Sequence, residues 1–333
     1  MTATVTHLVV GPPRHGVVQF GLDLHTAMVA AGAASQLVAV EHPDEVHWAT
    51  PPAAVHLQFT DRLFGTSPEQ AAATVSTIVA PLVAAGCRVT ATLHDLPQPS
   101  DGRNAARRAQ AYAAVCADVH AVVVSSEHER LLLGADAPPR TAVIPLPVHT
   151  VTAEPVVGEA LSVGIFGYVY PGKGHHEVLS ALGELGSDAE LVAIGAPSDG
   201  HADLVDDLQQ RAREWGVRFR ITGYVTDRLP ELLQAITVPV VAHRHISASG
   251  SLNNWLGLGR RPLAPAHRYT EEIARRNPDA VQLYPDTEFG LRSALQTALA
   301  TPASTWLPAS TVCRPTARDA ALEYARTLRQ WYR

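Results

Sequence analysis

The single lysine of this chain stands in a glycine loop. The 26 basic residues are 25 arginines and Lys173, and Lys173 lies in the stretch GYVYPGKG, from Gly167 to Gly174. The stretch is one letter from the phosphate-binding signature G-x-x-x-x-G-K-[ST], with Gly174 where the hydroxyl belongs. It follows an apolar strand pattern over 161–166 and opens a helix. Backbone N–H groups and the positive end of a helix dipole there suit an anion, and a compact ammonium adds a point charge. Gly174 offers no hydroxyl to hold Mg²⁺. A phosphate site with a lysine and no metal ligand suits a departing diphosphate, whose developing charge the protein itself must neutralise. A surface lysine without function is the plainer alternative.

Other residues have types and positions that could serve chemistry. His94 ends the strand pattern RVTATL (88–93), where a side chain could meet a sugar or a reacting group; a satisfied structural histidine is the other reading. Asp95 reads as a cap more than as a base. SASGS, from Ser247 to Ser251, combines small residues, free N–H groups and three hydroxyls before a helix, which suits phosphate; the plain reading is a cap and tight turn. Thr60, Asp61 and Arg62 follow another strand and could meet an acceptor, or form a loop-stabilising Asp–Arg pair. Arg103, Arg107 and Arg108 read as a solvated helix face more than as a contact for an anionic acceptor or membrane surface. Among the sixteen histidines, His175–His176 and His243-x-His245 lack the partners of a metal site.

The elements that must carry these residues alternate between strand and helix. Strand patterns lie at 6–10, 35–40, 54–59, 88–93, 121–125 and 141–145, with helical periodicity at 16–32, 67–86 and 101–117. Prolines and a lack of amphipathic period mark a linker at 145–160. The alternation restarts with strands at 161–166, 190–195, 217–222, 237–242, 261–266 and 280–284 and helices beginning near Gly174, His201, Asp227, Ser251, Tyr269 and Thr287. The fold class is therefore α/β: two Rossmann-like, doubly wound parallel-sheet domains facing a central cleft. Residues 1–150 form the first, 151–315 the second, and 316–333 an amphipathic helix expected to pack back on the first.

Composition narrows the function. At 46% hydrophobic and 17% charged, with a net charge of −6, the chain is globular and no basic nucleic-acid binder. No apolar run reaches the ~20 residues of a membrane span, so no stable membrane insertion is expected. The start reads as a first strand rather than a signal peptide. Cys87, Cys116 and Cys313 are odd in number and lack metal-ligand spacing, which suits a reducing cytoplasm.

Five segments in order resemble the retaining nucleotide-sugar glycosyltransferases of family 4, which have the GT-B fold. The family's second domain opens with a strand and G-R-x-x-x-x-K-G; Gly167, Lys173 and Gly174 match, and Tyr168 replaces the arginine. VTATLHDLP matches a strand ending in His-Asp, and VVVSSEHERLLL with VIPLPV matches the approach to the linker. RITGYVTDRLPELLQAI looks like the loop and helix around the nucleobase, and the C-terminal helix fits the family habit of crossing back. The resemblance implies that Lys173 and Gly174 bind the donor diphosphate and that His94 contacts the donor sugar near the reacting carbon. It places Arg14, His15 and Gly16 in a loop closing over sugar and phosphate, and Gly223, Tyr224 and Val225 at the base. The implied chemistry is departure of a nucleoside diphosphate through an oxocarbenium-like state, with retention and without a metal.

One departure stands out. The family carries two glutamates eight positions apart; here Asn254 falls at the second and Ser247 near the first, and the register could slip by one. Ser249, Gly250 and Ser251 then complete the expected donor site. The expectation is a cytoplasmic glycosyltransferase with no cofactor, a UDP- or GDP-sugar as donor, and a small-molecule or glycan acceptor. A GT-B epimerase or hydrolase, or a non-catalytic nucleotide-sugar-binding subunit, stays open beside it. A plain NTPase lacks its Mg²⁺ ligand.

Overall fold

A computed structural model describes residues 4–151, 160–198, 200–243 and 246–332. The chain divides into two compact units, Met1–Pro147 with Pro315–Arg333, and Val148–Arg314. Each is built on six parallel strands.

In the first unit the order along the chain is β1 (Val5–Val10), α1 (Gly16–Ala30), β2 (Ser35–Val40), β3 (Ala54–Phe59), α2 (Asp61–Phe64), α3 (Pro68–Ala84), β4 (Arg88–Leu93), α4 (Ala105–Asp118), β5 (Ala121–Val124), α5 (Glu127–Leu133) and β6 (Thr141–Val143). The sheet order is β2-β1-β3-β4-β5-β6. β1 and β3 are buried along their whole length, as VTHLVV and AVHLQF require of strands covered on both faces. The chain reverses its winding between β1 and β3, so the ends of those strands border the crevice where such sheets bind ligands.

The second unit runs β7 (Ser162–Phe166), α6 (His175–Leu185), β8 (Glu190–Ile194), α7 (Asp203–Trp215), β9 (Phe219–Ile221), α8 (Leu229–Gln234), β10 (Val238–Val240), α9 (Gly250–Gly257), β11 (Leu263–Pro265), α10 (Arg268–Arg276), β12 (Gln282–Tyr284) and α11 (Glu288–Ala300). Its order, β12-β11-β10-β7-β8-β9, puts the switch point between β7 and β10. The last helix, α12 (Ala317–Trp331), belongs to the first unit, where Tyr324, Ala321 and Leu328 pack with Leu24, Met28 and Val123. Its Tyr324 hydroxyl lies 3.0 Å from Thr92 Oγ1, and the Tyr332 hydroxyl 2.6 Å from Thr90 Oγ1.

Two short helices, α2 and α5, lie where periodicity gave no signal. Four and seven residues are too few to display a period, and α5 is set instead by its cap. Ser126 accepts from Glu129 N while the Glu129 carboxylate accepts from Ser125 N at 2.7 Å. The helix expected from residue 101 begins at Ala105, because Pro99–Asn104 winds as a 3₁₀ turn with Gly102 at φ 56°. Part of the expected linker, and His245, lie outside the described residues. Among the described residues no helix is long and apolar enough to cross a membrane.

Candidate functional site

In the second unit, the loop after β7 and the segment after β10 flank the switch point. Lys173 is 5% exposed, with its Nζ 5.5 Å from the centre of the Tyr170 ring. The same Nζ stands 3.0 Å from where a Cβ on Gly167 would be, so the ammonium folds back over the end of β7. Among the described residues no carboxylate pairs with it, and burial pulls its pKa down to about 7. Gly174 is the N-cap of α6 at φ 97°, and a Cβ there would stand 2.4 Å from the Cβ of Ala242. The missing hydroxyl thus has a steric cause: the loop passes too close to the segment after β10 for any side chain. His175, the first residue of α6, and His243 are both buried beside Lys173.

Around this centre the other expected residues divide. Ser249 is 4% exposed and caps α9, its Oγ accepting from Leu252 N at 3.1 Å and lying 3.1 Å from Ser251 Oγ. Its backbone N–H donates to the Tyr269 hydroxyl at 3.0 Å. The cap that was the plainer reading of SASGS is therefore real for Ser249. Ser247 is buried and Gly250 is exposed. Asn254 is exposed, and its side-chain amide donates to Gly250 O at 2.8 Å, whereas Asn253 is buried at 7% exposure. Tyr168 and Tyr224 are exposed, with ring centres 6.3 Å apart and planes at 37°. Gly223 has φ 72°, and Val225 is half-buried.

A separate cavity of about 410 Å³ in this unit is lined by Glu177, Glu184, Asp286 and Glu288 together with Tyr284 and Ala242. The Asp286 and Glu177 carboxylates and burial all push the Tyr284 hydroxyl pKa upward.

The first unit gathers its candidates at its own switch point. His15 is the N-cap of α1, its Nδ1 accepting from Val17 N at 3.2 Å, while Arg14 and Gly16 are exposed. His94 is 7% exposed; its Nε2 lies 2.9 Å from Gln58 Oε1 and its ring 5.2 Å from that of Phe20. Burial lowers its pKa to about 4, with Asp95 opposing, so the imidazole is neutral at pH 7. It can hydrogen-bond a hydroxyl but carries no positive charge. Asp95 adopts φ 50°, a strained conformation for a residue with a side chain, and accepts from the Thr60 hydroxyl at 3.1 Å rather than capping a helix. The turn is held from α4. Tyr112 donates its hydroxyl to His94 O at 2.5 Å, and Arg108 Nη2 donates to Asp95 O at 2.5 Å.

Two readings of the arginines change here. Arg108 is not part of a solvated face: its side chain is 13% exposed, bonded to Asp61 and Asp101. Arg107 does face solvent, paired with Glu69 across α3 and α4, and Arg103 is exposed. Asp61, considered for an acceptor or for a pair within its own loop, is committed to Arg108 instead, which leaves Arg62 exposed. Tyr112 and Gln58 had no motif to mark them, and His243 stood out only as half of His243-x-His245, a pattern without the partners of a metal site. Only the position of Gln58 near the end of β3 could have flagged it. Among the described residues, no group of three or more His, Cys, Asp or Glu could hold a metal ion.

No protein-family model matches this chain, and neither does any curated protein sequence. Solved structures do resemble it in fold. Sucrose-phosphate synthase from Thermosynechococcus elongatus has a TM-score of 0.70 at 14% identity, covering 99% of this chain and 95% of its own. HepE from Anabaena, solved in complex with UDP and glucose, has a TM-score of 0.69 at 14% identity, covering 98% and 97%. AviGT4, a glycosyltransferase involved in avilamycin A biosynthesis, has a TM-score of 0.63 at 16% identity, covering 99% and 98%. This chain has the two-domain, Rossmann-like GT-B fold of those glycosyltransferases.

Proposed function

We propose that this chain is a glycosyltransferase that moves a sugar from a nucleoside diphosphate sugar, a UDP- or GDP-sugar, to a small-molecule or glycan acceptor. The observation that carries the reading is Lys173: the only lysine, buried with no carboxylate partner among the described residues, where β7 meets the N-terminus of α6. An unpaired buried ammonium costs stability. An anion arriving there supplies the missing countercharge and draws added strength from the helix dipole. The binding of UDP by HepE, on the same fold, fits this use.

In this reading residues 151–315 hold the donor, with Lys173 neutralising the diphosphate as the bond to the sugar breaks. Tyr168, Gly223, Tyr224 and Val225 border the base, and Ser247, Ser249, Gly250, Ser251 and Asn254 the remaining polar edge. Residues 1–150 supply neutral His94 to a sugar hydroxyl, the Arg14–Gly16 turn to the donor, and the Thr60–Arg62 turn to the acceptor, with Arg62 its free side chain. Transfer proceeds with retention and without a metal, in the reducing cytoplasm that three free buried cysteines suit.

A second reading keeps binding and drops transfer. Asn254, at the place of a family glutamate, turns outward onto Gly250 O, which favours a nucleotide-sugar-binding subunit over a transferase with a carboxylate on the ribose. Thermal-shift titration with UDP, GDP, ADP and their glucose esters tests both, since native-state ligands raise apparent stability. A shift that Lys173→Ala abolishes supports the site. Equal shifts in wild type and Lys173→Ala, or no shift with any nucleotide, overturn it. Binding without turnover on any acceptor, or on water, selects the second reading.

A further inference from the structure

Lys173 is not the only basic group left unpaired at this switch point. His175 is 2% exposed and His243 is 5% exposed, and among the described residues neither ring nitrogen of either has a hydrogen-bond partner. Four buried ring nitrogens without partners are costly for a folded protein, and such groups call for an explanation. The His243 ring stacks on Tyr170 at 15° with centres 6.3 Å apart, and the same tyrosine ring lies 5.5 Å from Lys173 Nζ. His175 acts electrostatically on His243, and both feel Lys173. The remaining groups that bear on them are His176, from α6, and His267, the N-cap of α10. None of these neighbours is a carboxylate. His176 is itself 3.1 Å from Asp207.

The charge balance follows from chemistry. The diphosphate of a nucleotide sugar is a diester with two fixed negative charges across the neutral range. One ammonium and the ~+0.5 charge of a helix N-terminus do not neutralise it. Two negative charges entering a water-poor pocket favour the protonated form of any base beside them. We propose that His175 and His243 are further ligands of the donor diphosphate and that each takes up a proton as it binds, so that the site loads donor and protons together. In the empty site burial holds His175 down to about 3 and His243 well below the usual imidazole range. Both rings are therefore neutral until an anion arrives. This inference rests on the donor site proposed above.

Calorimetric titration of UDP-, GDP- and ADP-glucose in Bis-Tris and in PIPES separates it from that reading. Proton uptake appears as a binding enthalpy that differs between the buffers in proportion to their ionisation enthalpies. At pH 6.0 Lys173, with a pKa of about 7, is already charged, so uptake measured there comes from the histidines. The expected result is uptake of at least half a proton at pH 6.0. His243→Gln should keep measurable binding and lose about half of the uptake at pH 6.0, and His175→Gln should do the same. Binding with equal enthalpy in both buffers at pH 6.0 overturns the inference and leaves the donor site standing. If none of the three sugar nucleotides binds, the donor site and this inference fall together.

Discussion

Arg108 grips Asp61 with two hydrogen bonds, Nε to Oδ2 at 2.8 Å and Nη2 to Oδ1 at 3.1 Å. The same guanidinium reaches Asp101 Oδ2 at 2.6 Å and the carbonyl of Asp95. One side chain on α4 thereby ties together the turn after β3, the turn after β4 and the 3₁₀ segment before α4. Arg108→Lys should destabilise the first unit by about 3 kcal/mol, because an ammonium cannot reproduce the planar fork and a nearly buried Asp61 is left half paired. Urea unfolding reads this directly. A loss under half a kcal/mol would show that the fork is dispensable.

Much of this arrangement was legible in the sequence, and the reasons are local. Strand–helix alternation announced both sheets, and the glycine loop announced its lysine, because backbone geometry and helix ends depend on neighbours in the chain. Arg108 was misread because apolar residues recurring at helical spacing around it describe a helix, not what the helix lies against. Its partner Asp61 is 47 residues upstream. The place of His243 beside Lys173 was not legible for the same reason. Nothing near it in sequence says that β10 ends beside β7, and only the sheet order brings it to Lys173.

Gly174 separates this loop from a nucleotide-triphosphate site. Gly174→Ser would restore the missing letter of the phosphate signature, yet its Cβ would stand 2.4 Å from Ala242 Cβ and 2.5 Å from Ala242 O, at φ 97°. The backbone would have to shift, at a cost of about 2 kcal/mol or more. The variant should therefore melt earlier than wild type and gain no magnesium-dependent ATP binding. A Gly174→Ser protein of unchanged melting temperature would show that the loop has room for a side chain.

Arg260 is a buried cation that no motif marked. It is fully buried, stacked 4.0 Å from the centre of the Trp306 ring. It donates to Gln234 O at 2.7 Å, Thr237 O at 3.0 Å and Thr305 Oγ1 at 3.0 Å. These bonds join the end of α8, the start of β10 and the segment after α11. Arg260→Ala should cost about 4 kcal/mol, since it takes the guanidinium from the buried Gln234 carbonyl, removes one of the partners of Thr237 O and of Thr305 Oγ1, and leaves a cavity under the indole. Hydrogen exchange should rise first around 233–240 and 302–306. Unchanged protection there would contradict this role.

The buried histidines predict how stability responds to acid. His7, with its ring 5.6 Å from His56 and 5.9 Å from His25, has no hydrogen-bond partner for either ring nitrogen among the described residues. Burial and the neighbouring His25 lower its pKa to about 3, and burial lowers His94 to about 4 and His175 to about 3. Each folded value lies below the ordinary 6.5, so the unfolded chain binds protons that the folded chain refuses. Stability is then fully present above pH 6.5 and falls as pH drops from there toward 4, by at most about 1.4 kcal/mol per pH unit for each histidine. His7→Leu removes one such group without leaving a polar atom unpaired. Its unfolding free energy, followed by urea titration from pH 7 to pH 5, should fall less steeply than that of wild type by close to one proton. Identical slopes would mean that His7 already carries its proton in the folded state.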